Sequence, residues 1–109
     1  MTRVTLFRSG NTLVGFEAKG HTDFAFEGED IVCSAISALT QAAANGLTEV
    51  LGLSIALDMS EANLYCMTDS KASPEDIRGT DIILRTMALG LKSIAEDYGD
   101  YIKIVEREV

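Results

Sequence analysis

The chain has 109 residues and a formal net charge of −8, from nine Lys and Arg side chains against 17 Asp and Glu. This charge disfavours direct nucleic-acid binding, because neutralising phosphates requires clustered Lys and Arg. Apolar residues make up 47% of the sequence and charged residues 24%, a balance that excludes a disordered chain. The length predicts one globular domain, residues 1–109, with a single core.

No targeting segment is recognisable near the start of the chain. Residues 1–8 include two arginines and no apolar run long enough for a signal peptide. No stretch approaches the run of about 20 apolar residues that a membrane span requires. The sequence therefore predicts a cytoplasmic protein that does not associate with membranes, in which Cys33 and Cys66 are reduced.

The chain is predicted to open with a β-hairpin. Residues 4–7 and 13–18 are rich in β-forming side chains, and the Ser-Gly-Asn sequence between them is typical of a tight turn. Residues 20–29 follow, with glycines near both ends and no regular period. They predict a loop that is long for so small a domain, and such loops often carry function.

Helical spacing begins just after Asp30, which is a suitable N-cap. From there apolar side chains recur every three or four residues. The pattern predicts a first helix that runs to about residue 57, although two glycines within it weaken the helix. The small residues at 42–46 predict a close approach to another helix.

A strand and a second helix are predicted next. Residues 63–67 predict a short strand with Leu64 and Cys66 on one face, which indicates that this cysteine is buried and inert. Ser73, followed by Pro74 and two acidic residues, is typical of a helix start. An apolar stripe then continues to a glycine that suits the end of a helix.

A final strand is predicted over residues 101–106, which gives the order β-β-α-β-α-β. The fold class is therefore α+β, a single domain with two helices packed on one face of a four-stranded sheet. The stripe of the second helix, where Ile82 and Ile83 stand beside Leu84, is broader than one contact face requires. That breadth predicts a dimer.

The residues with catalytic potential lie between positions 20 and 37. With Asp30 as the cap, Cys33 would lie in the first turn, where unpaired N–H groups and the helix dipole favour a thiolate. His21 is the only histidine, and the predicted loop is long enough to bring its imidazole to the sulfur. Such a pair supplies the nucleophile and base of acyl transfer, and the first-turn N–H groups could serve as oxyanion donors.

Each of these residues also has a structural interpretation. A cysteine on an apolar helix is often a small core residue. Gly20 and Gly28 suit hinges or ordinary turns, and Asp30 could cap the helix or orient the histidine. Ser37 lies one turn beyond the cysteine, where it could hydrogen-bond the sulfur or remain an inert surface residue.

The segment resembles the signature of the ribosomal-processing cysteine protease (Prp) family. In that signature a Gly-His pair precedes a variable loop that holds an Ala and a Gly, then Asp-Ile-Val-Cys and a Ser one turn on. The matching residues, at the expected spacing, are Gly20, His21, Ala25, Gly28, Asp30, Ile31, Val32, Cys33 and Ser37. The order of elements and the length also fit, so the resemblance covers essentially the whole chain.

The resemblance implies a bacterial endopeptidase that acts in ribosome maturation. It would remove a short N-terminal extension from a basic protein of the large ribosomal subunit, the twenty-seventh, by cutting after a pair of aromatic residues. It would act as a homodimer, with Cys33 as nucleophile and His21 as general base. Supporting or substrate-binding roles would fall to Gly20, Gly28, Asp30 and Ser37.

Two other functions are compatible with the sequence. A non-enzymatic ribosome-assembly factor would tolerate alanine at Cys33 and His21. A thiol-dependent hydrolase or redox enzyme would use the same cysteine on esters or peroxides. The sequence has no P-loop, no Rossmann glycine pattern and no CxxC spacing, so no nucleotide, metal or other cofactor is expected.

Overall fold

The computed structural model describes residues 1–20, 27–60, 63–69 and 71–109, with the backbone alone for 27–30. These residues form five strands and two long helices in the order β-β-α-β-β-α-β, with a short π-helix, Gly46–Val50, continuing the first helix. The elements are β1 (Thr2–Ser9), β2 (Thr12–Lys19), α1 (Glu27–Asn45), β3 (Ile55–Ser60), β4 (Asn63–Thr68), α2 (Pro74–Tyr98) and β5 (Ile102–Glu108). The α+β class is confirmed.

The strands form one sheet in the order β3-β4-β2-β1-β5. The predicted opening hairpin is confirmed, since β1 pairs antiparallel with β2 across a loop of two residues, Gly10 and Asn11. β4 pairs antiparallel with both β2 and β3, whereas β5 runs parallel to β1. The first strand therefore lies between its hairpin partner and the last strand of the chain.

The predicted count of four strands is wrong by one, because β3 lies partly in the segment that was assigned to the first helix. α1 ends at Asn45, and the helical path stops after the π-helix. β3 is an edge strand that pairs only with β4 within the described sheet. All of its residues after Ile55 are exposed. Because neither face of the strand is buried, its sequence lacks the alternation of apolar and polar residues by which a half-buried strand is recognised.

The start of α1 also differs from the prediction. The helix begins at Glu27, three residues before the predicted cap, so Asp30 is not the N-cap and Gly28 is helical rather than part of a loop. Acidic residues are favoured in the first turn of a helix, and the apolar spacing used to place the boundary begins only one turn later. Cys33 consequently falls at the end of the second turn, not in the first.

One face of the sheet forms the core together with both helices. The strand residues on this face are buried and lie in cross-strand pairs: Val4 with Ala18, Leu6 with Phe16, Phe16 with Cys66, and Ala18 with Leu64. The helices add buried side chains to the same cluster, among them Val32, Ile36, Leu47, Leu84 and Leu91. The predicted burial of Leu64 and Cys66 on one strand face is confirmed.

Small residues allow α1 and α2 to pack closely, as predicted. A Cβ atom added to Gly46 would lie 3.2 Å from the side chain of Ile83. One added to Gly90 would lie 3.0 Å from the side chain of Leu39. A larger side chain at either glycine would force the facing Ile83 or Leu39 side chain to shift.

The ends of α2 agree with the predicted signals. The backbone N–H of Asp76 donates to the Ser73 hydroxyl oxygen at 3.1 Å, and Pro74 is the first helical residue. The helix ends at Tyr98, with Gly99 at the C-cap position. Local capping residues therefore set both boundaries of this helix.

The segment Ile31–Val50 differs from the expectation that no part of the chain could span a membrane. It is a helical run of 20 residues with a mean hydropathy of 1.2, long and apolar enough to cross by length and composition alone. Core helices of globular proteins meet the same criterion. In this fold Val32, Ile36 and Leu47 of the segment belong to the buried core cluster.

Candidate active site

Cys33 lies where the buried face of α1 meets solvent. The flanking Val32 and the next-turn Ile36 are buried, whereas Ser34 and Ser37 are exposed. Cys33 itself is half-buried and forms no disulfide. A thiol in this position is held by its helix and is still open to a reactant, which a nucleophile requires.

The expected activation of Cys33 by the first turn of its helix is wrong. The unpaired N–H groups of α1 extend no further than Glu29, because the helix begins at Glu27 and the N–H of its fourth residue already bonds within the helix. The N–H of Cys33, the seventh residue of the helix, is hydrogen-bonded within the helix. The influence of the helix dipole also declines beyond the first turn. The start of the helix therefore gives no local reason for a thiolate at Cys33.

Thr2 connects Cys33 to the end of β2. This residue opens β1 and is 5% exposed, so its side chain is buried between the sheet and α1. Its hydroxyl donates to the carbonyl oxygen of Gly20 at 2.9 Å and lies 3.9 Å from the Sγ atom of Cys33. Since Gly20 directly precedes His21 in the sequence, the backbone that leads to the histidine begins close to the sulfur.

Gly20 occupies a position that only glycine fits well. Its φ of +89° lies in a region that other residues rarely adopt. A Cβ atom there would also lie 3.0 Å from the carbonyl oxygen of Met1. The glycine of the Gly-His pair is thus required by the path of the backbone beside Cys33.

Replacing Gly20 with alanine is expected to lower the free energy of unfolding by roughly 1–3 kcal/mol, since strain and close contact add. It should also slow alkylation or cleavage at Cys33, because the Thr2–Gly20 hydrogen bond would shift. Gly10→Ala is the matched control: Gly10 has a φ of +62° but nothing within 4 Å of the added atom. Urea unfolding and alkylation rates measure both effects. Equal effects of the two variants on Cys33 would contradict this account.

The other predicted site residues are distributed unevenly. Ser37 is exposed on α1, one turn beyond Cys33. Gly28 and Asp30 contribute backbone to the first turn of that helix. His21 lies outside the described residues, so its pairing with Cys33 stays a prediction. Among the residues that the structure describes, no group of three or more His, Cys, Asp or Glu could hold a metal ion.

Sequence reasoning missed Thr2, which contacts both Cys33 and Gly20. The residue is 31 positions from the cysteine, and it meets the sulfur only because the fold brings the start of β1 next to α1. A lone threonine at the start of a strand carries no local signal. The pairing of β1 with β2 could have placed it near Gly20, but not near the helix.

Cys66 is buried, whereas Cys33 is half-buried. It is fully buried on β4, where it pairs with Phe16 across the sheet. Burial raises the pKa of the Cys66 thiol from 9.0 to about 11, because a thiolate is poorly solvated in the core. The thiol therefore remains protonated and inaccessible near neutral pH.

A mild alkylating agent at neutral pH is expected to label Cys33 well before Cys66, since the thiolate is the reactive species. Labelling of Cys66 in the folded protein should rise only as the pH approaches about 11, the value to which burial raises its pKa. In urea both thiols should react at similar rates, which controls for intrinsic reactivity. Peptide mapping that found Cys66 modified first in the folded protein would contradict the assignment of Cys33.

Known proteins resemble this chain over nearly its whole length. The family model for cysteine protease Prp matches residues 1–103. A relative from Bacillus subtilis (strain 168), the ribosomal processing cysteine protease Prp, is 29% identical over 107 residues, which cover 95% of this chain and 96% of that protein.

Solved structures share the fold over nearly the whole chain. A protein from Streptococcus mutans has a TM-score of 0.84 at 22% identity and covers 100% of this chain and 96% of its own. The ribosomal processing protease Prp from S. aureus, solved with a substrate peptide, has a TM-score of 0.83 at 19% identity. The match covers 98% of this chain and 100% of the S. aureus chain. With the family model matching 103 of its residues, the chain belongs to the cysteine protease Prp family.

Proposed function

We propose that the chain is an endopeptidase that removes a short N-terminal extension from a large-subunit ribosomal protein, the twenty-seventh. Membership of a cysteine protease family supports the reaction class. The B. subtilis relative is named for ribosomal processing, and the S. aureus protein was also solved with a covalently linked product peptide. The observation that carries the proposal is the half-buried thiol of Cys33, joined through Thr2 to the residue that precedes His21.

In this proposal Cys33 is the nucleophile and His21 the general base. The imidazole takes the thiol proton, and the sulfur attacks the carbonyl carbon of the scissile bond. The carbon–nitrogen bond then breaks, and the imidazolium gives its proton to the leaving amine. Water hydrolyses the thioester, which releases the N-terminal fragment and restores the thiol.

The charge of the chain suits a basic substrate. Ribosomal proteins bind RNA and are rich in Lys and Arg, whereas this chain carries a formal charge of −8. Opposite charges speed the encounter of two proteins, and salt weakens this attraction because the Debye length is about 8 Å at physiological ionic strength. The cleavage site itself, an aromatic pair, would be bound by apolar contacts instead.

The substrate assignment is tested by incubating the purified protein with the ribosomal protein that carries its N-terminal extension. Intact mass spectrometry should find one cut, after the aromatic pair, and no cut when both aromatic residues are replaced by alanine. A substrate that binds without being cut would support an assembly factor instead. Hydrolysis of small esters with no peptide cleavage would support a general thiol hydrolase.

We also propose that the protein acts as a homodimer through the outer face of α2. Ile82 and Leu89 lie seven residues apart on that face and are 60% and 66% exposed, so they form an apolar stripe that water would otherwise cover. Sedimentation at micromolar concentration should find a dimer that Ile82→Asp dissociates. Val50→Asp, at an apolar residue 80% exposed on the π-helix, is the control. A monomeric wild-type protein would contradict this assembly.

A further inference from the structure

The start of α1 is too far from Cys33 to donate a hydrogen bond to its sulfur. The helix begins six residues earlier, at Glu27, so its unpaired N–H groups are a turn or more away. The Thr2 hydroxyl oxygen, however, lies 3.9 Å from Sγ, within hydrogen-bonding range of sulfur. It comes from a different element and is fixed independently of the helix.

The position of Thr2 is set by the sheet. Its backbone N–H donates to the carbonyl oxygen of Tyr101 at 2.9 Å, and the residue pairs with Ile102 at the start of β5. The side chain is almost fully buried, so water competes little for its hydroxyl. A hydrogen bond in such surroundings is electrostatically stronger than one in solvent.

The hydroxyl has one hydrogen and two possible acceptors. It donates to the Gly20 carbonyl oxygen at 2.9 Å, which leaves its lone pairs to accept the S–H of the Cys33 thiol. When the thiol loses its proton, the sulfur becomes an anionic acceptor. A hydrogen bond to an anion is stronger than one to a neutral carbonyl. Once the thiol has ionised, the hydroxyl therefore forms a stronger hydrogen bond to the sulfur than to the Gly20 carbonyl oxygen.

We propose that Thr2 is a positioning residue whose hydroxyl moves its hydrogen bond from Gly20 to Cys33 when the thiol ionises. This inference rests on the proposed function, in which Cys33 is the nucleophile. The thiol proton passes to the base, the threonine keeps its own hydrogen, and only the acceptor of that hydrogen changes. The resting contact therefore holds the neutral thiol towards β1, and the second contact stabilises the attacking thiolate.

The switch also connects the sulfur to the backbone beside the proposed base. The carbonyl that Thr2 releases belongs to the peptide bond between Gly20 and His21. Ionisation of Cys33 thus frees the peptide group that precedes the histidine at the moment when the base has received its proton.

The test compares Thr2→Val, which keeps the shape and removes the hydroxyl, with Thr2→Ser, which keeps the hydroxyl. Alkylation of Cys33 by iodoacetamide is measured as a function of pH without substrate. The Val variant should react roughly three- to tenfold more slowly at neutral pH, with its profile displaced to higher pH. The Ser variant should stay within about twofold of wild type, and all three should converge at alkaline pH.

Identical alkylation profiles for Thr2→Val and wild type, with equal unfolding midpoints, would overturn the proposal. If the Val variant is unstable, the comparison of Thr2→Ser with Thr2→Ala decides: equal rates for these two would equally overturn it. Peptide cleavage by Cys33→Ala distinguishes a failure of the proposed function from a failure of the role of Thr2. Cleavage that persists without Cys33 refutes the proposed function, whereas unchanged alkylation in the Val variant refutes the role of Thr2 alone.

Discussion

Replacing Cys33 or His21 with alanine is expected to reduce kcat/KM for peptide cleavage by about 10³-fold or more. Each loss should be of this size because the two residues act as one unit: without the nucleophile, the base has no thiol proton to accept. The double variant should therefore be little worse than either single variant. Single-turnover cleavage of the extended ribosomal protein measures all three.

Ser34→Ala is the matched control for these variants, since Ser34 lies next to Cys33 on α1 and is exposed. It should cleave at close to the wild-type rate. The unfolding midpoint of Cys33→Ala should also stay near that of wild type, because the thiol is only half-buried. A His21→Ala variant that cleaves nearly as fast as wild type would show that another group is the base.

Replacing Phe16 with alanine should lower the free energy of unfolding by about 4 kcal/mol, a large share of the roughly 5–15 kcal/mol available to a domain. Phe16 is fully buried at the centre of the sheet, where it pairs with Leu6 on β1 and Cys66 on β4. Truncation removes its apolar contacts and leaves a cavity in the core cluster. Urea unfolding measures the change.

The control for this prediction is Phe16→Leu, which retains most of the volume. Phe16→Leu should lower the free energy of unfolding by less than half as much as Phe16→Ala, because the cavity that it leaves is smaller. A loss below about 1 kcal/mol for Phe16→Ala would contradict the placement of this ring in the core. A Phe16→Ala variant that loses alkylation at Cys33 but keeps the wild-type unfolding midpoint would also contradict this placement.

The sequence predicts those elements whose signals are local. The Ser-Gly-Asn turn fixed the opening hairpin, and the Ser-Pro start with acidic residues after it fixed α2. The alternation of Leu64 and Cys66 correctly predicted burial of the second cysteine. In each case neighbouring residues determine the conformation, so no knowledge of the rest of the fold was needed.

The sequence could not predict features that depend on partners distant along the chain. β3 is a strand because β4 supplies its hydrogen bonds, and its exposed side chains give no alternating pattern. The first turn of α1 lacks the apolar spacing by which a helix is recognised, so the start at Glu27 was placed too late. That error of one turn matters, because it placed Cys33 beside the unpaired N–H groups of the helix start, whereas the group within hydrogen-bonding range of the sulfur is the Thr2 hydroxyl.

The central claim, that the sulfur of Cys33 carries out peptide cleavage, is tested most directly by trapping the thioester. The protein is mixed with the extended ribosomal protein and quenched in acid within the first turnover. Intact mass spectrometry with peptide mapping should then find Cys33 carrying an acyl group equal in mass to the released N-terminal fragment less one water. Cleavage that proceeds with no adduct on Cys33, or with the adduct on Cys66, would contradict the account.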